Sequence, residues 1–136
     1  MLPSGRHFPD GFPMTRGLPA ILVVDDGPDI CQNMSDILND QGYRVDTARE
    51  AKLAIRLLEG QRYDVALLDF RMPAIDGLAV SREVTRRNPK TVVLLITGYS
   101  EDVLPAQAFA AGVHRILTKP LDVAELLGEI EKLLAG

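Results

Sequence analysis

Apolar residues along the chain fall into short unbroken runs, separated by stretches with helical spacing. The runs AILVV (20–24), DVALLD (64–69) and TVVLLIT (91–97) are typical of strands that are buried on both faces of a sheet. YRVDTA (43–48) alternates between apolar and polar residues and predicts an outer strand, and RILT (115–118) predicts a last one. Five strands are therefore expected.

Helical periodicity fills the intervals between these strands. The first helix is expected after Gly27-Pro28, with proline at the first helical position, and it stops before Gly42. The third and fourth helices are expected at 77–88 and 101–111. The apolar stripes are Ile30, Met34, Ile37 and Leu38 in the first helix, Ala51, Ala54, Ile55 and Leu58 in the second, and Val123, Leu127, Ile130 and Leu134 in the last. The alternation predicts one doubly wound α/β domain, a five-stranded parallel sheet of order 2-1-3-4-5 with helices on both faces.

Residues 1–18 differ from the rest of the chain, because they carry three prolines and three glycines and show no periodicity. Such a segment predicts a flexible N-terminal leader, followed by a folded domain over 19–136. Nothing resembles a secretory signal, and no apolar run approaches the ~20 residues that span a membrane. A cytoplasmic protein without a membrane anchor is expected.

Composition adds few constraints to this picture. The chain is 46% hydrophobic and 25% charged, with a net charge of −4, which does not indicate nucleic-acid binding. Arg82, Arg86 and Arg87 lie on one predicted helix and are interpreted as a solvated face. Cys31 is the single cysteine, so an internal disulfide is excluded, and a buried or half-buried thiol is expected.

Polar residues stand where the predicted strands end. Asp25 and Asp26 follow the first strand, Asp69 ends the third, Thr97 ends the fourth, and Lys119 follows the fifth. In a sheet of order 2-1-3-4-5 these four strands are contiguous, and ligands bind at their carboxyl ends. The sequence therefore predicts three acids, a hydroxyl and an ammonium around one crevice.

Three neighbouring carboxylates repel one another unless a cation lies among them. Oxygen ligands without histidine or cysteine favour a hard ion such as Mg²⁺, which leaves a coordination position for a phosphate oxygen. Lys119 offsets part of the charge and can hold a phosphoryl oxygen as a point charge. A carboxylate can itself be the nucleophile and form an aspartyl phosphate.

Four motifs together resemble the receiver domain of two-component response regulators. They are VVDD (23–26), LLDFRMPAIDG (67–77), LLITG (94–98) and LTKP (117–120), and the resemblance covers about residues 20–135. It implies a flavodoxin-like (βα)5 fold and a phosphorylation-dependent signalling switch. Any one motif is weak, whereas four in order are a strong signal.

The resemblance also implies the roles of single residues. Asp69 is the expected phosphoacceptor, taking the phosphoryl group from the phosphohistidine of a kinase or from a small acyl phosphate. Asp26 is the expected direct Mg²⁺ ligand and Asp25 acts through water, while Asp69 and the main-chain carbonyl of Arg71 complete the ligand set. The protein is expected to catalyse only its own phosphorylation and dephosphorylation.

Further positions follow from the same resemblance. Thr97 is the expected switch hydroxyl, Lys119 the phosphoryl-binding lysine, and Lys119-Pro120 a cis peptide. One departure concerns the aromatic residue that receivers usually carry three positions before the lysine. That position is Ile116, which is too short to swing as an aromatic ring does, and Tyr99 is the nearest aromatic residue.

Arg71 and Tyr99 occupy loop positions that overhang the phosphoryl group in this family. The hypothesis is that they restrict the attacking water and slow self-dephosphorylation. Arg71→Ala and Tyr99→Ala are then expected to shorten the lifetime of the phosphorylated protein, and unchanged lifetimes in both variants would contradict the hypothesis.

The implied partners are a sensor histidine kinase or phosphotransfer protein and a downstream protein or effector domain, with self-association as a further output. The output surface is expected on the fourth helix, fifth strand and fifth helix, around Leu104, Ala108 and Ala111. The last helix ends at Gly136, so the chain is either a stand-alone receiver or a piece of a larger regulator or hybrid kinase.

Three other functions are weighed against this one. A phosphorylation-independent, receiver-like interaction module is supported by Ile116 alone. A hydrolase with an aspartate nucleophile usually needs a second acid two residues after the first, where this chain has Arg71. A flavin or nucleotide binder is disfavoured, because the loop DDGPD (25–29) is acidic and repels phosphate.

Overall fold

The structure, a computed structural model, describes residues 18–70, 77–98 and 105–135. The strands are β1 (Ala20–Val24), β2 (Arg44–Ala48), β3 (Val65–Asp69), β4 (Val92–Thr97) and β5 (Arg115–Thr118). The helices are α1 (Pro28–Asp40), α2 (Ala51–Gly60), α3 (Gly77–Arg87), α4 (Pro105–Ala110) and α5 (Val123–Ala135). The predicted alternation of strands and helices is confirmed. The start of the predicted fourth helix, and all but the last residue of the predicted leader, lie outside the described residues.

The sheet is parallel throughout, and its strand order is β2-β1-β3-β4-β5, as predicted. Asp69 at the end of β3 is in register with Ile96, and Thr97 at the end of β4 is in register with Thr118. Since parallel strands end at the same edge, the polar residues that follow β1, β3, β4 and β5 come together there.

Two hydrophobic clusters cover the two faces of the sheet, because successive strand residues point to opposite faces. The first cluster joins alternate strand residues to α2, α3 and α4, through Ala54, Val80 and Ala108. The second joins the other strand residues to α1 and α5, through Leu38 and Ile130. Each unbroken apolar run in the sequence therefore contributes side chains to both hydrophobic clusters.

The apolar stripe of α1 differs from the prediction at one position. Ile30 is 44% exposed, whereas Cys31, Met34 and Leu38 are buried. These three are spaced three and four residues apart and face the sheet, which leaves Ile30 at the edge of that face. The expectation of a buried or half-buried thiol at Cys31 is confirmed.

The output face predicted around Ala108 and Ala111 is wrong for these two residues, because both are buried. Ala108 points into the first cluster, so the next residue of the helix, Phe109, is turned outward and is 54% exposed. Leu104 lies outside the described residues. The exposed side of α4 therefore includes the large apolar side chain of Phe109.

The carboxyl end of α4 is fixed against α3. The buried hydroxyl of Ser81 donates a 2.7 Å hydrogen bond to the carbonyl of Ala111. Gly112 adopts a φ of +97°, and a Cβ there would overlap the Thr85 side chain. Glycine is required because it alone combines this conformation with so close an approach.

Arg86 and Arg87 of α3 form ion pairs within the chain. Arg86 binds Glu83 at 2.9 Å, and Arg87 binds Glu83 at 3.4 Å and Glu59 at 3.7 Å. Arg82 and Arg86 are exposed, as expected of a solvated face, whereas the Arg87 side chain is only 26% exposed. Among the described helices, none combines the length and the hydrophobicity that crossing a membrane requires.

Candidate functional site

Three carboxylates meet at the carboxyl edge of the sheet. Oxygen atoms of Asp25, Asp26 and Asp69 all lie within 4.8 Å of one another. Asp25 and Asp69 are buried, at 6% and 5% exposure, whereas Asp26 is exposed. The cluster forms because β1 and β3 are neighbours in the sheet, and the predicted gathering of the three acids is confirmed.

Three hydrogen bonds hold the loop between β1 and α1. The backbone N–H of Asp25 donates to the carbonyl of Ala48 at 3.0 Å, and Asp25 Oδ1 accepts a 2.9 Å bond from the N–H of Gly27. Arg49 Nε donates to the carbonyl of Asp26 at 3.4 Å. The end of β2 therefore supports the loop that carries both acids.

Lys119 brings a positive charge to the cluster. Its Nζ lies 3.5 Å from Asp69 Oδ1, and its backbone N–H donates to the carbonyl of Thr97 at 2.8 Å. Thr97 is buried, at 1% exposure. The Lys119–Pro120 peptide bond is cis, as predicted. The ends of β3, β4 and β5 are thus joined at one point.

Gly77 places the start of α3 against the end of β3. Its N–H donates to the carbonyl of Phe70 at 2.8 Å, and a Cβ at this position would lie 2.5 Å from the carbonyl oxygen of Asp69. Only a residue without a side chain permits this approach. From the sequence, Gly77 was expected only as part of a turn before the third helix, and its close approach to Asp69 was not predicted.

Arg49 lies at the same edge but was not among the predicted site residues. It is the polar residue that follows β2, and β2 neighbours β1 at the same edge. Residues that follow parallel strands meet at one edge of the sheet, and this rule applied to β2 would have predicted Arg49 as well.

The remaining predicted positions have different outcomes. Ile116 is half-buried and packs against the first hydrophobic cluster. The expected departure from threonine–aromatic coupling at this position stays a prediction. Arg71 and Tyr99 lie outside the described residues, so the carbonyl ligand and the two rim positions stay predictions.

The electrostatics of the cluster favour binding of a cation. Burial raises the pKa of Asp25 above its ordinary 3.8, the charges of Asp69 and Asp26 raise it further, and the Gly27 N–H and Lys119 oppose the shift. In the described part of the chain, this cluster contains three acids and one lysine. Its oxygen-only donor set fits a hard divalent cation such as Mg²⁺.

Asp25→Asn is expected to stabilise the metal-free protein at pH 7 by about 0.5–2 kcal/mol, within the range of single stabilising substitutions. Because folding raises the pKa of Asp25, its contribution to stability is fully present below pH 3.8 and is lost as the pH rises through the raised pKa. Asparagine keeps the acceptor for Gly27 without the charge. The difference from the wild type should therefore shrink as the pH falls toward 3.8. Urea unfolding of both proteins in chelator, between pH 7 and pH 3.8, measures this difference in the free energy of unfolding. Equal or lower stability of the variant at pH 7 would contradict the argument.

Cys31 lies beside the cluster without taking part in it. Its Sγ donates to the carbonyl of Asp25 at 3.2 Å, and burial, followed by the charge of Asp25, raises the pKa of the thiol. A buried thiol with a raised pKa is a poor nucleophile. Cys31 therefore serves packing in α1.

The fold and the site define a class of protein: a doubly wound parallel α/β domain with a cluster of three carboxylates and a lysine at the carboxyl edge of its sheet. The family model of the response regulator receiver domain matches residues 21–131. The chain belongs to this family, and the resemblance inferred from the four motifs is confirmed.

Two curated relatives illustrate the similarity. The transcriptional regulatory protein ZraR of Escherichia coli is 36% identical over 122 residues, which are 90% of this chain and 28% of ZraR. The response regulator protein PilR of Pseudomonas aeruginosa is 36% identical over 114 residues, 84% of this chain and 25% of PilR. The chain thus spans less than a third of the length of these relatives.

Solved structures show the same fold. The receiver domain of an HD domain-containing protein from Pseudomonas fluorescens has a TM-score of 0.80 and 31% identity, covering 86% of this chain and 94% of that one. The response regulator TrrA of Thermotoga maritima, solved in complex with Mg²⁺ and beryllium fluoride, has a TM-score of 0.77 and 30% identity, covering 85% and 99%.

Proposed function

We propose that this chain is a phosphorylation-dependent signalling switch that accepts a phosphoryl group on Asp69. One observation carries the proposal. The carboxylate of Asp69 ends a central strand, lies within 4.8 Å of two further acids, and has the ammonium of Lys119 at 3.5 Å. A nucleophile, a cation-binding oxygen set and a fixed positive charge are the groups that phosphoryl transfer requires.

The proposed reaction is a single displacement at phosphorus. A carboxylate oxygen of Asp69 forms a P–O bond while the P–N bond of the donor's phosphohistidine breaks. The electron pair of the breaking bond stays on the imidazole nitrogen, which takes up a proton. The donor therefore supplies the leaving group, and no histidine of this chain takes part.

The other residues position the group and neutralise its charge. Asp26 and Asp69 would hold Mg²⁺ directly, with Asp25 acting through water and the carbonyl of Arg71 as a further ligand. Bound Mg²⁺ supplies positive charge to the phosphoryl oxygens. Lys119 binds another of these oxygens, and the hydroxyl of Thr97 moves toward the phosphoryl group.

The output is a change in the surface formed by α4, β5 and α5. Phe109 exposes a large apolar side chain on this surface, at 54% exposure, and Arg115 on β5 binds Glu129 on α5 at 3.3 Å. Movement of Thr97 at the end of β4 would reach this surface through the adjacent β5. The proposed partners are a sensor histidine kinase or phosphotransfer protein and a downstream protein, an effector domain or a second copy of the chain.

The test is the intact mass of the protein after incubation with a small acyl phosphate. One phosphoryl adduct is expected with Mg²⁺, and its amount should fall at least about tenfold in chelator, since charge neutralisation is the main catalytic contribution. Adding excess Mg²⁺ back should restore it. Absence of an adduct in every condition would refute the proposal.

A phosphorylation-independent interaction module is the second candidate function. The half-buried Ile116, which occupies the usual position of the switch aromatic, favours it. The two functions differ in one measurable respect. The switch changes the backbone amide NMR spectrum of α4 and β5 when the adduct forms, whereas the module leaves that spectrum unchanged.

A further inference from the structure

A cavity of about 240 Å³ adjoins the acidic cluster on the face of the sheet that α1 and α5 cover. Most of its wall is aliphatic and comes from α1, the sheet and the segment after the cis peptide. The wall residues include Ile30, Met34, Leu67, Ile96, Pro120 and Leu121. Asp25, Asp69 and Lys119 line the same cavity and form its polar side.

The unexpected exposure of Ile30 belongs to this feature. Ile30 is 44% exposed and lines the cavity, so it borders an opening to solvent. Met34, one turn further along α1, is buried in the same wall. The cavity is therefore an open apolar pocket with a charged side, which suits an amphiphilic ligand.

The volume limits the size of that ligand. An apolar cavity of about 150 Å³ is sufficient for benzene. A cavity of 240 Å³ therefore has room for one aromatic ring and a short linker. Water in such a pocket finds few polar partners along the aliphatic wall, so its displacement by an apolar group is favourable.

The charged residues around the cavity determine whether the polar group of the ligand is a cation or an anion. Asp25 and Asp69 line the pocket, Asp26 lies within 4.8 Å of both, and Lys119 is the cation among the described lining residues. Carboxylates exceed ammonium groups by two, and the nearby Arg49 reduces but does not cancel the excess. An organic cation is therefore favoured over an anion.

We propose that this pocket binds a small arylalkylammonium ion, of the size of phenethylammonium, with its ring between α1 and the segment after Pro120 and its ammonium against Asp25 and Asp69. Because the carboxylates are shared, the organic cation and Mg²⁺ exclude each other. The pocket then provides inhibition of phosphorylation by a small molecule, and this consequence rests on the proposed function.

The first test measures binding by calorimetry and amide NMR without Mg²⁺ and without a phosphodonor. Phenethylammonium is compared with 2-phenylethanol, which lacks the charge, and with methylammonium, which lacks the ring. The amine is expected to bind at least about tenfold more tightly than either, a difference of about 1.4 kcal/mol. Equal affinity for the alcohol would overturn the role of the acids, and equal affinity for methylammonium would overturn the role of the cavity.

Paired variants of α1 locate the site. Ile30→Ser makes the cavity wall polar, and Ile37→Ser makes the same change on the same helix at a residue outside the cavity lining. Ile30→Ser is expected to weaken amine binding about three- to tenfold, as loss of part of an apolar contact does, and Ile37→Ser to leave it unchanged. Equal effects of the two substitutions would refute the proposed location.

Competition tests the shared carboxylates. The apparent Kd of phenethylammonium should rise in proportion to the Mg²⁺ concentration, and a Kd independent of Mg²⁺ would overturn mutual exclusion. These measurements need no phosphorylation. A failed phosphorylation experiment therefore leaves them interpretable, and a failed binding experiment leaves the switch function standing.

Discussion

Asp69→Asn is expected to abolish the Mg²⁺-dependent phosphoryl adduct, with at least a 100-fold loss of modified protein in intact-mass measurements. The amide has the shape of the carboxylate but is neutral and a poor nucleophile, so the P–O bond cannot form. Asp69 is 5% exposed and its oxygen lies 3.5 Å from Lys119. Because the substitution is isosteric, the packing is kept. A loss of the phosphoryl adduct therefore reflects the missing nucleophile.

The matched control is Asp36→Asn on α1, an exposed acid whose carboxylate accepts a 2.9 Å hydrogen bond from Gln32. This variant should be modified as fully as the wild type. A persistent adduct in Asp69→Asn would assign the phosphoacceptor elsewhere, and mapping by tandem mass spectrometry would then identify it. Circular dichroism and thermal melting verify that both variants are folded.

Gly77→Ala is expected to lower the free energy of unfolding by about 1–3 kcal/mol, the usual penalty of overpacking, and to slow phosphorylation roughly 10- to 100-fold. The added methyl group would lie 2.5 Å from the carbonyl oxygen of Asp69 and 2.9 Å from the Leu95 side chain. Relief requires α3 or the end of β3 to move. Such a movement would displace Asp69, the proposed nucleophile, relative to Asp25 and Asp26.

Gly128→Ala provides the control for this substitution, because a Cβ at Gly128 meets no atom within 4 Å. In the interior of α5, alanine should stabilise the protein by about 0.5–1 kcal/mol and leave the phosphorylation rate unchanged. Urea unfolding and adduct formation over time measure both effects. If Gly77→Ala behaves like Gly128→Ala, then the close approach of α3 does not position Asp69.

The exposure of Ile30 and the burial of Ala108, both contrary to expectation, share a cause. The period of an apolar pattern predicts a helix, but a stripe of four residues leaves its rotation uncertain by one position. In α1 the predicted buried stripe included Ile30, whereas the structure buries Cys31 instead. In α4 the buried residue is Ala108, and the next residue, Phe109, is exposed. Alanine carries too little apolar area to reveal the orientation of a short helix from sequence.

The sequence by itself determined the features that depend on neighbouring residues. The apolar runs predicted β1 to β5, and the strand-end positions of Asp25, Asp26, Asp69, Thr97 and Lys119 were sufficient to predict one acidic crevice. This was possible because side-chain alternation and the common edge of parallel strands are properties of regular backbone geometry.

The tertiary structure alone decided the features that depend on packing between distant segments. These are the close approach of Gly77 to Asp69, the raised pKa of Asp25, and the cavity between α1 and the segment after Pro120. A distance, a burial penalty and an empty volume each arise from atoms that lie far apart in sequence. No local pattern encodes them, because the same pattern can pack against different neighbours.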